Sequence, residues 1–144
     1  MITSQAELFT KLGAPLKNVR WSWGGVHEHE KIVFLRVWQD GTQVIENKRY
    51  VWILDEVPRL KDLGATERFN HIKLIESGYQ CYLVMCQAVD TKAGTRQVQS
   101  FNRKEVFLGG EVIISDNNYY IELKDRVSVK NIQIKLNTLI INGT

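Results

Sequence analysis

Apolar positions recur along the chain with two periods, and they divide it into short segments. Near the start, Ser4-Gln5-Ala6-Glu7 has the form of a capping box. Leu8, Phe9 and Leu12 follow as one apolar stripe, and Gly13 with Pro15 ends the helix they predict. Val19, Trp21 and Trp23 then alternate with Arg20, Ser22 and Gly24, which is the period of a half-buried strand. Gly24–Lys31 is read as a connection to the apolar run Ile32–Trp38. In that run Val33, Leu35 and Val37 share one face, and Ile32, Phe34, Arg36 and Trp38 the other.

Further on, Asp40-Gly41 predicts a turn, Thr42–Glu46 a strand, Asn47-Lys48 a second turn and Arg49–Leu54 another strand. Asp55–Gly64, with Pro58 inside it, has no period and reads as a loop. Thr66–Ser77 predicts a second helix, capped by Thr66 and ended by Gly78, with Phe69, Ile72 and Ile75 toward the core and His71 and Lys73 away from it. Tyr79–Val89 is apolar on both faces, as a central strand covered on two sides would be. Asp90–Thr95 reads as a basic loop, Arg96–Phe101 as a polar edge strand and Asn102–Phe107 as one helical turn. Glu111–Ser115 and Tyr119–Leu123 flank Asp116-Asn117-Asn118 as a hairpin, and the tail alternates at Ile132, Ile134 and Leu136 as a last strand. The sum is a single domain over 1–144 of the α+β class. It predicts a mostly antiparallel, strongly curved sheet or small β-barrel with two flanking helices, since closure removes exposed edges.

Composition narrows the classes. No apolar run approaches the roughly 20 residues of a spanning helix, which argues against a membrane partner. The first residues have neither a basic start nor an apolar signal core, so the expected location is cytoplasmic. Cys81 and Cys86 are an odd step apart, five positions, so on a strand they face opposite ways as free thiols.

Net charge is +3, but its distribution says more. Lys11, Lys17 and Arg20 lie in one window free of acids, and Lys92, Arg96, Arg103 and Lys104 in another. If the windows met they would make a cationic face for nucleic acid, although from charge alone a solvated surface is the simpler account.

Candidate chemistry is sparse. His27-Glu28-His29-Glu30 has neither a metalloprotease nor a zinc-finger spacing, and no nucleophile elbow or phosphate loop occurs. No cofactor and no resident metal is implied. Glu122-Leu123-Lys124 after Asp116 offers the acid-x-Lys pattern of a small metal-dependent nuclease, one alternative function. A protein-interaction domain, an inhibitor or accessory subunit, is another, docking through the Arg96–Ser100 edge or the apolar tail Ile132–Ile141. The aromatic residues point to a base-reading module. Trp21, Trp23 and Trp38 are candidate stacking platforms, with Arg20 and Arg36 between them as bidentate donors; the same tryptophans would also serve as core. Trp38, at a strand end, is the expected ligand-facing ring, and Trp52, among Val51, Ile53 and Leu54, the expected core one.

The segments N-V-R-W-S-W-G (Asn18–Gly24), F-L-R-V-W-Q-D (Phe34–Asp40) and C-Y-L-V-M-C-Q-A-V-D (Cys81–Asp90) followed by Ser100-Phe101-Asn102 resemble small bacterial proteins. The order of parts resembles the PUA/EVE/SRA-like superfamily: Gly78 before a central strand ending Gln87-Ala88-Val89-Asp90, a basic loop, then a hairpin. That resemblance implies a non-enzymatic module that binds DNA or RNA and reads a flipped or modified base, in restriction or defence against phage. It assigns no individual binding residue. Contacts to the backbone are expected from Lys17, Arg20, Arg36, Lys92, Arg96, Arg103 and Lys104.

Overall fold

The computed structural model describes residues 2, 4–56, 61–93 and 96–142, with side chains described as far as residue 137. Residues 57–60 of the expected Asp55–Gly64 loop, Gly94 and Thr95 of the basic loop, and the side chains of the tail beyond 137 lie outside the described residues.

Helix α1 (Gln5–Lys11) starts where the capping box puts it, with Ser4 Oγ accepting from the Glu7 amide at 3.1 Å. The first strand does not. The Val19–Trp23 alternation is not realised as a strand, and β1 is Gly24–His27, paired antiparallel with β2 (Ile32–Trp38) from Gly24↔Leu35 to His27↔Ile32. Two glycines can pass for a loop in sequence, but here they admit another segment. A Cβ on Gly25 would sit 2.1 Å from the Ala14 carbonyl oxygen, so the stretch after α1 lies directly on β1. Gly25→Ala should therefore cost about 2 kcal/mol, read as a lowered urea midpoint, because backbone rather than a flexible side chain has to move.

A 3-10 turn (Gln39–Gly41) leads from β2 into β3 (Thr42–Ile45), which pairs with β4 (Lys48–Asp55) across Glu46 and Asn47, both at positive φ. Helix α2 is Leu63–Glu76, one turn earlier than expected, because Asp62 and not Thr66 caps it: Asp62 Oδ1 accepts from the Ala65 amide at 3.1 Å. Its inward face also differs. Arg68, His71 and Ile72 are buried, and Phe69 is 41% exposed.

The central strand β5 (Gln80–Ala88) pairs in parallel with β2 and antiparallel with β7 (Glu105–Ser115) and with β6 (Val98–Phe101). β7 begins inside the stretch expected to be a helical turn. It forms the anticipated hairpin with β8 (Asn118–Ser128) over Asp116 and Asn117, again both at positive φ. The tail is a helix, α3 (Val129–Asn142), not a strand: Val129, Ile132 and Leu136 repeat at helical spacing and pack on the core.

Among the described residues the fold is thus α+β with three helices and one mixed eight-stranded sheet, ordered β1-β2-β5-β7-β8-β4-β3 with β6 off this path beside β5. The β2–β5 pairing is parallel, and the sheet is not closed into a barrel. One face carries α1 and α3 over Phe34, Tyr82, Val84 and Cys86. The other buries Val33, Leu35, Val51, Ile53, Cys81, Leu83 and Ile121 with Ala65 and Ile72 of α2. Cys81 and Cys86 therefore sit in different clusters, and burial pushes both thiols up to about 12. Among the described residues no helix is long and apolar enough to cross a membrane.

Because β2 and β4 both contribute to the second cluster, the sheet bends around it, and α2 fills the seam the sheet leaves open. Glu67 takes the Trp23 amide at 3.0 Å and the Ser22 hydroxyl at 2.8 Å where the β1 ladder stops. Arg68 spans the seam. Its Nη1 donates to the Ile53 carbonyl of β4 at 2.7 Å, and its Nη2 to the Arg36 carbonyl of β2 at 2.6 Å and the Trp23 carbonyl at 3.1 Å. Ile53 is the residue skipped where the β4–β8 register shifts, so the bulge turns its carbonyl out of the ladder and Arg68 satisfies it.

Candidate nucleic-acid interface

Past the apolar cluster, on the same face of the sheet, lies a cavity of about 600 Å³. That is within the range of small-molecule sites. The strand period explains who lines it. On β5, Met85 and Gln87 follow Cys81 and Leu83 on that face, so the apolar row turns polar at Gln87. On β4, Arg49 precedes Val51 and Ile53 by the same two-residue step, and Val44 of β3 lies opposite it. On β7, Phe107 points in, between Val106 and Leu108 on the opposite face.

Arg126 arrives by an irregularity. Leu123 and Arg126 of β8 both line the cavity although three residues apart, because the β7–β8 register slips between Gly109↔Leu123 and Phe107↔Arg126. The inserted residue switches the face and aims the arginine inward. Gln39 and Gln43 close one side, and Ser100, Phe101 and Asn102 the other. No aspartate or glutamate is among the described lining residues.

The polar groups are tied to one another. The Ser100 hydroxyl donates to Gln87 Oε1 at 2.8 Å, and Gln87 Nε2 donates to Gln39 Oε1. Asn102 Oδ1 accepts the amides of Lys104 and Glu105, both at 2.9 Å. Arg126 stacks over Phe107 at 5.1 Å from the ring centroid and lies 3.6 Å from Glu105. Arg103 stacks over Phe101 at 4.4 Å and donates to the Ile2 carbonyl at 3.0 Å.

Of the residues expected from sequence, none lines this cavity. Trp38 is half-buried against the cluster under α1 and α3, with Arg36 at 5.1 Å and Arg96 at 5.4 Å over its ring. Arg96 forms a bidentate pair with Asp40, both contacts at 2.7 Å, which holds the Asp40 carboxyl below its usual range. Burial lowers the Arg36 pKa. Trp52 belongs to neither cluster; it is half-buried, and its indole donates to Asn118 Oδ1 at 2.9 Å. Trp23 packs on the α2 side, where a Cβ on Gly64 would meet its indole nitrogen at 2.4 Å. Arg20 is exposed, and its amide donates to Asn18; the Lys92 amide likewise donates to Asp90. Lys104 is exposed at the start of β7.

Lys17 and Trp21 line a second groove of about 770 Å³ between β1 and α2, which also takes in His27, His29 and His71, all three histidines of the chain. The two cavities share no lining residue, and Lys92, Arg96, Arg103 and Lys104 line neither of them. Among the described residues no three His, Cys, Asp or Glu side chains are grouped to hold a metal ion. Glu122 and Lys124 flank Gly110, with Asp116 away at the hairpin tip.

Arg49, Arg126 and the four amides Gln39, Gln43, Gln87 and Asn102 escaped the sequence reading, which followed tryptophan and runs of charge. The legible signal was the break in the apolar row between Met85 and Gln87. Comparison of the chain with protein-family models, curated proteins and solved structures gives no match.

Proposed function

We propose that the protein binds nucleic acid and takes one unpaired or flipped base into the cavity between Gln39, Arg49, Phe101 and Arg126. The observation that carries this is the lining itself: two arginines, four primary amides and two phenylalanines, with no carboxylate, around about 600 Å³. Phenylalanine faces suit base stacking, amides suit base edges, and guanidinium groups suit phosphate. The binding residues differ from those first expected, and tryptophan is not required. Fluorescence anisotropy at low salt with single-stranded and duplex oligonucleotides tests the reading. The Arg49→Ala/Arg126→Ala variant should bind at least about tenfold more weakly, and its salt dependence should be shallower by about one phosphate contact per arginine. Absence of binding to every probe at low salt, or full binding by the double variant, would refute it.

A protein-interaction role is the second reading. It rests on β6, whose described pairing is with β5 alone. The tail no longer supports it, since α3 packs on the protein's own core. Strand addition at β6 predicts that Gln99→Pro, at an exposed position outside the cavity lining, abolishes partner capture and leaves oligonucleotide binding in place.

A further inference from the structure

Three of the four cavity amides, Gln39, Gln87 and Asn102, are not free to present either end to a ligand. Two backbone N–H groups hold Asn102 Oδ1, at 2.9 Å each, so the open end of this side chain is its Nδ2 donor. The Ser100 hydroxyl occupies Gln87 Oε1, and Gln87 Nε2 occupies Gln39 Oε1, which leaves Gln39 Nε2 as the outermost group of that chain. Arg49 and Arg126 have only donors to offer. The amide oxygens of Asn102, Gln87 and Gln39 are engaged within the protein, so these side chains and the two guanidinium groups offer donors to the cavity, and Gln43 is able to turn its Nε2 the same way.

The geometry points to a keto base as the occupant, guanine before all others, an inference that rests on the nucleic-acid reading above. Guanine presents two neighbouring acceptors, O6 and N7, on one edge. Thymine and uracil present O4 beside no donor on that edge. Adenine and cytosine would aim an exocyclic amino group, N6 or N4, at donors, leaving both sides unsatisfied in a part-enclosed site. Discrimination against an unsatisfied polar group is the strong kind, whereas shape alone would tolerate either purine.

The test uses short single-stranded oligonucleotides that carry one base, G, T, A or C, among abasic positions, with an all-abasic control. The guanine probe should bind tightest, about tenfold or more above the adenine and cytosine probes, the range of one good bidentate contact. Asn102→Asp keeps an oxygen for the two backbone amides and turns the open end into an acceptor. It should bring the guanine-to-adenine affinity ratio close to or below one, whatever it does to overall affinity. Equal binding of all four bases, or an unchanged ratio in Asn102→Asp, overturns the keto preference and leaves nucleic-acid binding standing. No binding by any probe, together with none by natural oligonucleotides, overturns both.

Discussion

Arg68→Met should unfold at a urea concentration well below the parent protein, with a loss of about 4 kcal/mol. Arg68 is 2% exposed, and its three hydrogen bonds all go to backbone carbonyls on separate segments. Methionine fills comparable volume, so a cavity is not the main cost. The carbonyls are. Trp23 keeps a donor, because the Arg36 amide reaches the same oxygen at 2.8 Å. The Ile53 and Arg36 carbonyls lose the donor that Arg68 supplies, at about 2 kcal/mol each for buried groups. Burial, then the nearby Arg36 charge, lowers the guanidinium pKa to about 9, still high enough to keep it charged at neutral pH. Its retention despite that penalty shows how much the seam between β2 and β4 depends on it. Arg68→Lys separates charge from geometry: one ammonium cannot replace a planar fork bridging three segments, so most of the loss should persist. A loss under about 1 kcal/mol in Arg68→Met would mean that the seam is held by side-chain packing alone.

Arg68 also marks where the sequence stopped being legible. The helix carrying it is visible in the sequence, and of the expected inward residues Ile72 and Ile75 do pack on the core, but Phe69 is exposed and Arg68 and His71 turn inward beside Ile72. A buried arginine is invisible to hydrophobic periodicity, because its partners are carbonyls contributed by residues far away in sequence. The tail failed for a related reason. Ile132, Ile134 and Leu136 satisfy a two-residue period, yet Val129, Ile132 and Leu136 satisfy a helical one, and burial chose the second. Turns fared better because their chemistry is local: Asp116-Asn117 takes positive φ between paired strands, and so does Glu46-Asn47, one residue ahead of the expected Asn47-Lys48. The cavity was the least legible part. Arg126 reaches it only through a register slip, which the sequence marks indirectly, by Gly109 and Gly110 on the paired strand.

The second large effect is acid sensitivity centred on His71. The side chain is 7% exposed on the inner face of α2, beside Arg68, and its Nδ1 lacks a hydrogen-bond partner among the described residues. Burial, and then the Arg68 charge, lowers its pKa from 6.5 to about 4. The unfolded chain gains its proton near pH 6.5, whereas the folded protein gains it only near pH 4. Between those values the unfolded state binds more protons, so stability rises with pH and falls as pH is lowered. The contribution is complete above about pH 6.5 and is lost progressively down to about pH 4, with a total of about 3 kcal/mol for a shift of this size. Urea unfolding at a series of pH values measures it directly. Any single curve sums over the whole protein, so the decisive quantity is a difference between two proteins. His71→Gln keeps a polar side chain of similar length and removes the proton uptake. Its stability should fall less steeply than that of the parent protein between pH 6.5 and 4, even if it starts lower at neutral pH. Parallel curves for the two would place the acid sensitivity elsewhere and show that His71 is protonated as readily in the folded protein as in the unfolded chain.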